Sequence, residues 1–422
     1  MKYNRTEIYG NIGFTSVIDE KFKTASLRVR FLTKLSPDTA SANLVGVDTA
    51  TYSNGNIRTF AEFNEKITSL YGASVNSFSS KMGDIQIIGI VSSWLLNKYA
   101  IDGEDIEGEM LSIVRDCIFN PNADNGKFDG ETFSIARKEL IDRIDSDINN
   151  KRSYAIDKAI EIAFRGEPAQ CKSYGTRESA EAVTAESAYT AYINLLKNAV
   201  IEIDYVAPEE NNAVLEMFRE NFSAVERNAE EVSYRNPSPI KAETLTETEE
   251  FDVRQCKMVM TFKTDCQDKY SLKMLNMILG ETPVSKLFMN VREKMSLCYY
   301  CASRIIATKG AMMIDVGVEK KNIEKTKAEI LHQLDEIKNG NITDEEMASA
   351  LLSIDNSLTA TGDTPSSYSA WFFDCHCEGK TETPSERFAK YCSLTKKDII
   401  KTAKSFSLDS IYIMYNKEEQ TK

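Results

Sequence analysis

Two stretches of the chain carry the same order of apolar and polar positions. From Thr59 the text TFAEFNEKITSLYGASVNSFSSKMGDIQIIGIVSS passes from helical spacing to alternation, which predicts a helix followed by strands. From Leu287 the text LFMNVREKMSLCYYCASRIIATKGAMMIDVGVE repeats that order. Glu65-Lys66 is echoed by Glu293-Lys294, Ser69-Leu70 by Ser296-Leu297, and Gly83 by Gly310, at offsets of 228, 227 and 227 residues.

Each copy continues into a helical segment and a second long helix, expected over Phe133 to Ile160 and over Glu345 to Asp374, with Ser153-Tyr154 echoed by Ser367-Tyr368. Each ends on a strand candidate rich in alternating or β-branched residues, Ala199 to Val206 and Ser410 to Tyr415. A repeat of this length means duplicated domains, because solenoid units are only about 20 to 50 residues long. Between the copies, Ala224 to Glu250 is rich in Glu and Thr and contains Asn236-Pro237-Ser238-Pro239, where proline removes donors and disfavours helix. The expected division is therefore a first domain at 1–223, a linker at 224–250 and a second domain at 251–422. Arg5 to Val17 and Thr24 to Phe31 open the first sheet, and Phe251 to Phe262 opens the second. Strands and helices come in blocks, so the fold class is α+β, with a mostly antiparallel sheet packed with helices in each domain.

Composition adds bounds. A chain of 422 residues exceeds one ordinary core, and 42% hydrophobic with 27% charged residues and nine prolines is an ordinary globular balance. A net charge of −13 without clustered Lys and Arg disfavours nucleic acid as a partner. The acid excess fits either a basic peptide partner or plain solubility. Met1 to Thr15 lacks the apolar run of a secretory signal, and no stretch reaches about 18 uninterrupted apolar residues, so no membrane is expected and a cytoplasmic location is. Nine scattered cysteines suit reduced thiols better than a disulfide framework.

The most specific segment is Pro283 to Ser303, PVSKLFMNVREKMSLCYYCAS. It resembles the second-domain motif of the insulinase, or pitrilysin-type, M16 metallopeptidases. Ser285, Leu287-Phe288, Arg292-Glu293-Lys294 and Leu297-Cys298-Tyr299 match that motif, including the spacing of seven from Arg292 to Tyr299. Seven helical residues turn about 700°, close to two full turns, so a continuous helix would put both side chains on one face. Alternatively the helix ends near Ser296 and Tyr299 opens the following strand; either geometry lets the two point the same way. The resemblance implies that Arg292 and Tyr299 hold a substrate carbonyl at a zinc centre, a task suited to a guanidinium and a phenol because both donate hydrogen bonds to an oxygen gaining negative charge. The competing structural reading is an Arg in a surface ion pair with a nearby Glu and a Tyr buried in the core.

The other half of such a site is a helix bearing H-x-x-E-H, whose histidines bind zinc while the glutamate activates water. This chain has only His332 and His376, 44 residues apart, so that motif cannot be assembled. Its place falls near Val45, Asp48 and Thr49. His332, in LHQLDEI, fits an ordinary helix face, and His376 between Cys375 and Cys377 lacks a second ligand pair. No metal ligand or cofactor is therefore expected in this chain.

Likeness to the family extends over most of the chain, including KRSYAIDKAIEIAFRGEPAQCKSYG from Lys151 to Gly175, and is strongest to the histidine-lacking YfmF-like branch of small bacterial members. The resemblance implies half of a clamshell and a non-catalytic partner subunit of a heteromeric zinc peptidase. A zinc-motif-bearing M16 sibling would carry the metal, a peptide substrate would be enclosed, and Arg292 and Tyr299 would complete the sibling's site. The alternative is a peptide-binding or scaffolding protein with no part in catalysis. A third reading, an independent hydrolase built on Cys375 and His376, needs a pairing that spacing alone does not supply.

Overall fold

The computed structural model describes residues 1–101 and 103–417. Asp102, in the first expected domain, and positions 418–422, at the end of the second, lie outside the described residues. The chain forms two compact units. The first comprises Met1–Ser146, Cys171–Tyr234 and Thr361–Thr381; the second comprises Asp147–Gln170, Arg235–Ala360 and the chain from Glu382 onward. Each unit thus takes one short segment from the other half of the sequence.

The first unit opens with β1 (Lys2–Glu7), β2 (Ile12–Ile18) and β3 (Thr24–Lys34), then α1 (Ala40–Ala50) and α2 (Phe60–Ser69). Next come β4 (Ser74–Met82), β5 (Ile85–Leu95), α3 (Ile106–Phe119), a small ribbon of β6 (Ala123–Asp124) with β7 (Lys127–Phe128), and α4 (Gly130–Ser146). The chain then contributes α5 (Lys151–Ala163) to the second unit and returns as α6 (Arg177–Glu181), α7 (Ala185–Asn198), β8 (Val200–Ala207) and α8 (Asn212–Ser223). The six-stranded sheet has the order β1-β2-β8-β3-β5-β4, and every pairing except β2 with β8 is antiparallel. Val29 and Ile90 of the sheet share a core with Val45 of α1, Tyr192 of α7 and Phe218 of α8.

The second unit contains β9 (Leu245–Phe251), β10 (Cys256–Lys263), α9 (Lys269–Asn276), and two π-helical segments, Met277–Glu281 and Leu287–Lys294. After these come β11 (Cys298–Ile306), β12 (Ala311–Val318), α10 (Ile323–Lys338) and α11 (Asp344–Thr359). The chain lends α12 (Pro365–Cys377) to the first unit and closes with α13 (Pro384–Cys392), α14 (Lys396–Lys404) and β13 (Ser407–Asn416). This sheet has the order β11-β12-β10-β13-β9, with only β13 and β9 parallel.

The two sheets share one plan. Strands β4, β5, β3, β8 and β2 correspond in order to β11, β12, β10, β13 and β9, and the single parallel pair falls at the same place. The echoed glycines sit at equivalent turns with left-handed backbone, φ 58° at Gly83 and φ 59° at Gly310. A Cβ at Gly310 would lie 2.5 Å from the Thr264 carbonyl oxygen, so space as well as conformation selects glycine there.

Where one long helix was expected in each half, the chain forms two. The Asn150 side chain accepts from the Ser153 amide at 3.1 Å and starts α5 afresh after a turn at Asp147–Asn149. Thr364 does the same for Ser367 at 3.1 Å, with Pro365 in the first turn of α12. Both breaks lie where the chain changes unit, so the helical periodicity continues through a change of packing partner. The segment expected as linker also ends in structure, since β9 begins at Leu245 and pairs with β13.

The exchanged helices cover the sheet faces away from the main cores, by different chemistry. Ala155, Ile156 and Ala159 of α5 pack on Val259, Met313 and Tyr412. On α12, the Ser369 hydroxyl donates to Asp204 at 2.7 Å and accepts from Arg30 at 2.8 Å, while Arg30 is also ion-paired with Asp204. About two turns later His376 Nε2 lies 3.0 Å from the buried carboxylate of Glu202, which Arg5 holds at 2.7 Å. Those bonds hold Glu202 below the usual carboxylate range despite its burial.

Candidate functional site

The Arg292 segment is shaped by a helix that widens before it ends. Leu287 and Val291 are fully buried in the second core and fix the inner face of the π-helix. The Asn290 side chain donates to the Lys286 carbonyl at 3.0 Å and to Gln333 of α10 at 2.9 Å, which sets its rotation. Its closing bonds span five and six residues, Met295 N–H to Asn290 O and Leu297 N–H to Val291 O, both at 3.0 Å. Ser296 then takes left-handed backbone, φ 49°, and β11 starts at Cys298. The second of the two geometries read from the sequence is therefore the one formed: Arg292 ends a helix and Tyr299 opens the strand behind it.

Arg292 lies on the outer face, its guanidinium 4.5 Å from the centre of the Phe288 ring and its Nε 3.5 Å from Glu293. Tyr299 is an extra residue in β11. Cys298 pairs with Val318 and Tyr300 pairs with Gly317, so Tyr299 bulges out between them. It is 70% exposed. Its neighbour Tyr300 is pinned instead, with Arg152 4.3 Å from its ring and Gly317 beneath, where a Cβ would come within 2.6 Å. The structure thus supplies the Arg–Glu pair of the competing structural reading but not the buried tyrosine. Val284 and Met289 are also exposed, so three of the nine large exposed hydrophobics among the described residues fall within residues 284–299.

The region expected to hold a zinc helix is α1. Val45 is fully buried, and the Thr49 hydroxyl is spent on the Val45 carbonyl at 2.7 Å. Asp48 is the only one of the three able to ligate a metal. Burial pushes its carboxyl up to about 7 against the opposing pull of a Ser77 hydrogen bond and of Arg143, and its Oδ1 has no partner. A carboxyl that keeps its proton near neutrality, beside a valine and a satisfied threonine, does not fit a divalent zinc ion. No reaction step is assigned to zinc in this chain.

His332 is exposed on α10, in agreement with an ordinary helix-face position. His376 faces Glu202 and Arg5, and Cys375 beside it is buried. Among the described residues no group of three His, Cys, Asp or Glu side chains could hold a metal. The pairing of His376 with Glu202 lies 174 positions apart in sequence and left no signal there.

Comparisons with known proteins accord with this geometry. The sequence profile of the family described as "Peptidase M16 inactive domain" matches residues 182–353, a span that includes Arg292 and Tyr299. The chain is 27% identical over 415 residues, 97% of both chains, to the "Probable inactive metalloprotease YmfF" of Bacillus subtilis strain 168. It is similar over 99% of both chains to the crystal structure of a conserved protein from Enterococcus faecalis V583, with a TM-score of 0.92 at 25% identity. It also shares its fold with the peptidase M16 inactive domain from Pseudomonas fluorescens, with a TM-score of 0.79 at 14% identity over 100% of this chain and 99% of that one. By sequence and fold, the chain is similar to M16-type proteins described as inactive, and it carries no H-x-x-E-H motif.

Proposed function

We propose that the chain is the non-catalytic partner subunit of a heteromeric M16 zinc peptidase, enclosing a peptide with a zinc-bearing sibling and lending it Arg292 and Tyr299. The observation that carries this reading is an asymmetry between the units. Where a zinc helix would stand, α1 offers no metal-binding set, whereas Tyr299 is extruded on a bulge and Arg292 is part-exposed near the end of the π-helix before it. A phenol and a guanidinium held at the end of a helix and the start of a strand can both donate to one oxygen. That stabilises a carbonyl as charge grows on it, and needs no metal in this chain. Strand β11 is also an outer strand of its sheet, open on one side to an added peptide strand. None of the nine cysteines is in a disulfide, which fits a reducing, cytoplasmic setting. Among the described residues no helix is long and apolar enough to cross a membrane.

A second reading, a peptide-binding or scaffolding protein without a role in catalysis, is favoured by the replaced zinc residues of α1 and by the inactive relatives. Affinity purification of the full chain from its own cells separates the two. Stoichiometric recovery of an H-x-x-E-H-bearing M16 protein is expected. Recovery of stable partners lacking any such protein supports the scaffold instead.

A further inference from the structure

The bulge that extrudes Tyr299 has a second effect. In an unbroken strand, residues three apart point to opposite faces, so Cys298 and Cys301 would be separated by the sheet. The extra residue removes that separation: Cys298 pairs with Val318 and Cys301 with Val316, two positions of β12 that share a face. Both thiols are consequently buried in the same core, 9% and 5% exposed. The pair is electrically uneven. The neighbouring Cys301 thiol draws the Cys298 thiol below its ordinary value against its burial, and the Arg292 charge helps. Cys298 in turn, with burial, holds the Cys301 proton on tightly. One sulfur inclined to ionise beside one that keeps its proton is the arrangement of an attacking and a resolving thiol.

We propose that Cys298 and Cys301 form a redox-modification site that a hydroperoxide converts to an intrachain disulfide. The Cys298 thiolate attacks the terminal oxygen of the hydroperoxide, and the O–O bond breaks. The alkoxide released takes up the proton and leaves as an alcohol, or as water when the oxidant is hydrogen peroxide, with Cys298 left as a sulfenic acid. The Cys301 sulfur then attacks the Cys298 sulfur, the S–O bond breaks, and the departing hydroxide carries off the Cys301 proton as water. Two thiols are oxidised by two electrons, and one peroxide is reduced.

A disulfide needs its Cβ atoms about 3.5 to 4.5 Å apart, whereas same-face neighbours along a strand are spaced by roughly 6.6 Å. Closing the bond therefore contracts the bulge and moves the residue inside it, Tyr299. That consequence for peptide cleavage rests on the proposed function; the disulfide itself does not.

Trypsin supplies a clean readout, because the fragment Met295–Arg304 contains Cys298, Cys301 and no other cysteine. The full chain is treated with hydrogen peroxide, alkylated, digested and weighed. The expected fragment has lost two hydrogens, carries no alkyl group, and regains both thiols with dithiothreitol. Cys301→Ser is expected to leave a sulfenic acid on Cys298 that dimedone traps. A wild-type fragment still alkylated at both positions, while exposed Cys392 is oxidised, overturns the site. With the zinc-bearing sibling present, the oxidised chain is expected to support peptide cleavage about 10²-fold more slowly, reversibly with dithiothreitol. Full cleavage by a chain shown to carry the disulfide overturns the link to Tyr299. If reduced Arg292→Ala and Tyr299→Phe both cleave normally, the proposed function fails and the dithiol chemistry stands.

Discussion

Asp409→Ala is expected to destabilise the second unit by about 3 to 5 kcal/mol, the usual effect of leaving a buried charge without its partner. Asp409 on β13 is fully buried, with Lys263 Nζ at 3.1 Å and Lys241 Nζ at 3.3 Å. Lys263 is itself fully buried, donates to the Pro239 carbonyl at 3.1 Å, and has its ammonium pKa lowered by that burial. Lys309, also fully buried, pairs with Glu167 at 2.7 Å nearby, and both lysines lie within 5.8 Å of the Phe164 ring. Removing the Asp409 carboxylate leaves Lys263 a buried ammonium without its direct ion-pair partner. Thermal unfolding should fall by about 6 to 20 °C for a unit of this size. The double variant Lys263→Met with Asp409→Leu should recover most of the loss, because burying neither charge removes the desolvation penalty. A fall below about 1 kcal/mol in the single variant would mean that water reaches this cluster.

Asp48→Asn should change how the stability of the first unit depends on pH. The Asp48 carboxyl is raised to about 7 in the folded chain, above its unfolded value, so the folded state binds the proton more tightly. The sign follows: the proton linkage stabilises the fold below the unfolded pKa, is lost as pH rises through about 7, and is flat above. A rise of roughly three pH units corresponds to at most about 4 kcal/mol. Asparagine cannot ionise, so the variant should gain stability relative to wild type between pH 4.5 and 8. Urea unfolding of both proteins across that range measures it, since slopes from the other groups cancel in the difference. Parallel curves would show that Asp48 is ionised without penalty.

Much of the fold is legible in the sequence because it is written twice. The echoes near 227 residues mark α2 and the π-helix at Leu287–Lys294, β4 and β11, and the two left-handed glycine turns. Which sheet a helix covers is not legible, because apolar spacing shows that a face is buried and not against what. For that reason α5 and α12 were expected to continue the helices before them, although Asn150 and Thr364-Pro365 are ordinary start signals. The Glu and Thr of LTETEEF suggest a linker, yet an outer strand with one neighbour tolerates such charges and even benefits from them. The burial of Lys263 and Asp409 left no mark in the sequence, because it depends on partners far along the chain.

At the candidate site the sequence carries the identities of Arg292 and Tyr299 but not the bulge between Cys298 and Tyr300. A one-residue register shift changes no composition and breaks no spacing rule. It exposes Tyr299, and it also places two thiols together that simple alternation would keep apart.

The most direct measurement is the rate of peptide cleavage by the zinc-bearing sibling mixed with this chain as wild type, Arg292→Ala or Tyr299→Phe. Assembly is followed in parallel by size-exclusion chromatography. Each variant is expected to assemble normally and to lower kcat by about 10²-fold, the usual loss when one donor to a developing oxyanion is removed. Cleavage at the wild-type rate by both assembled variants would contradict the account.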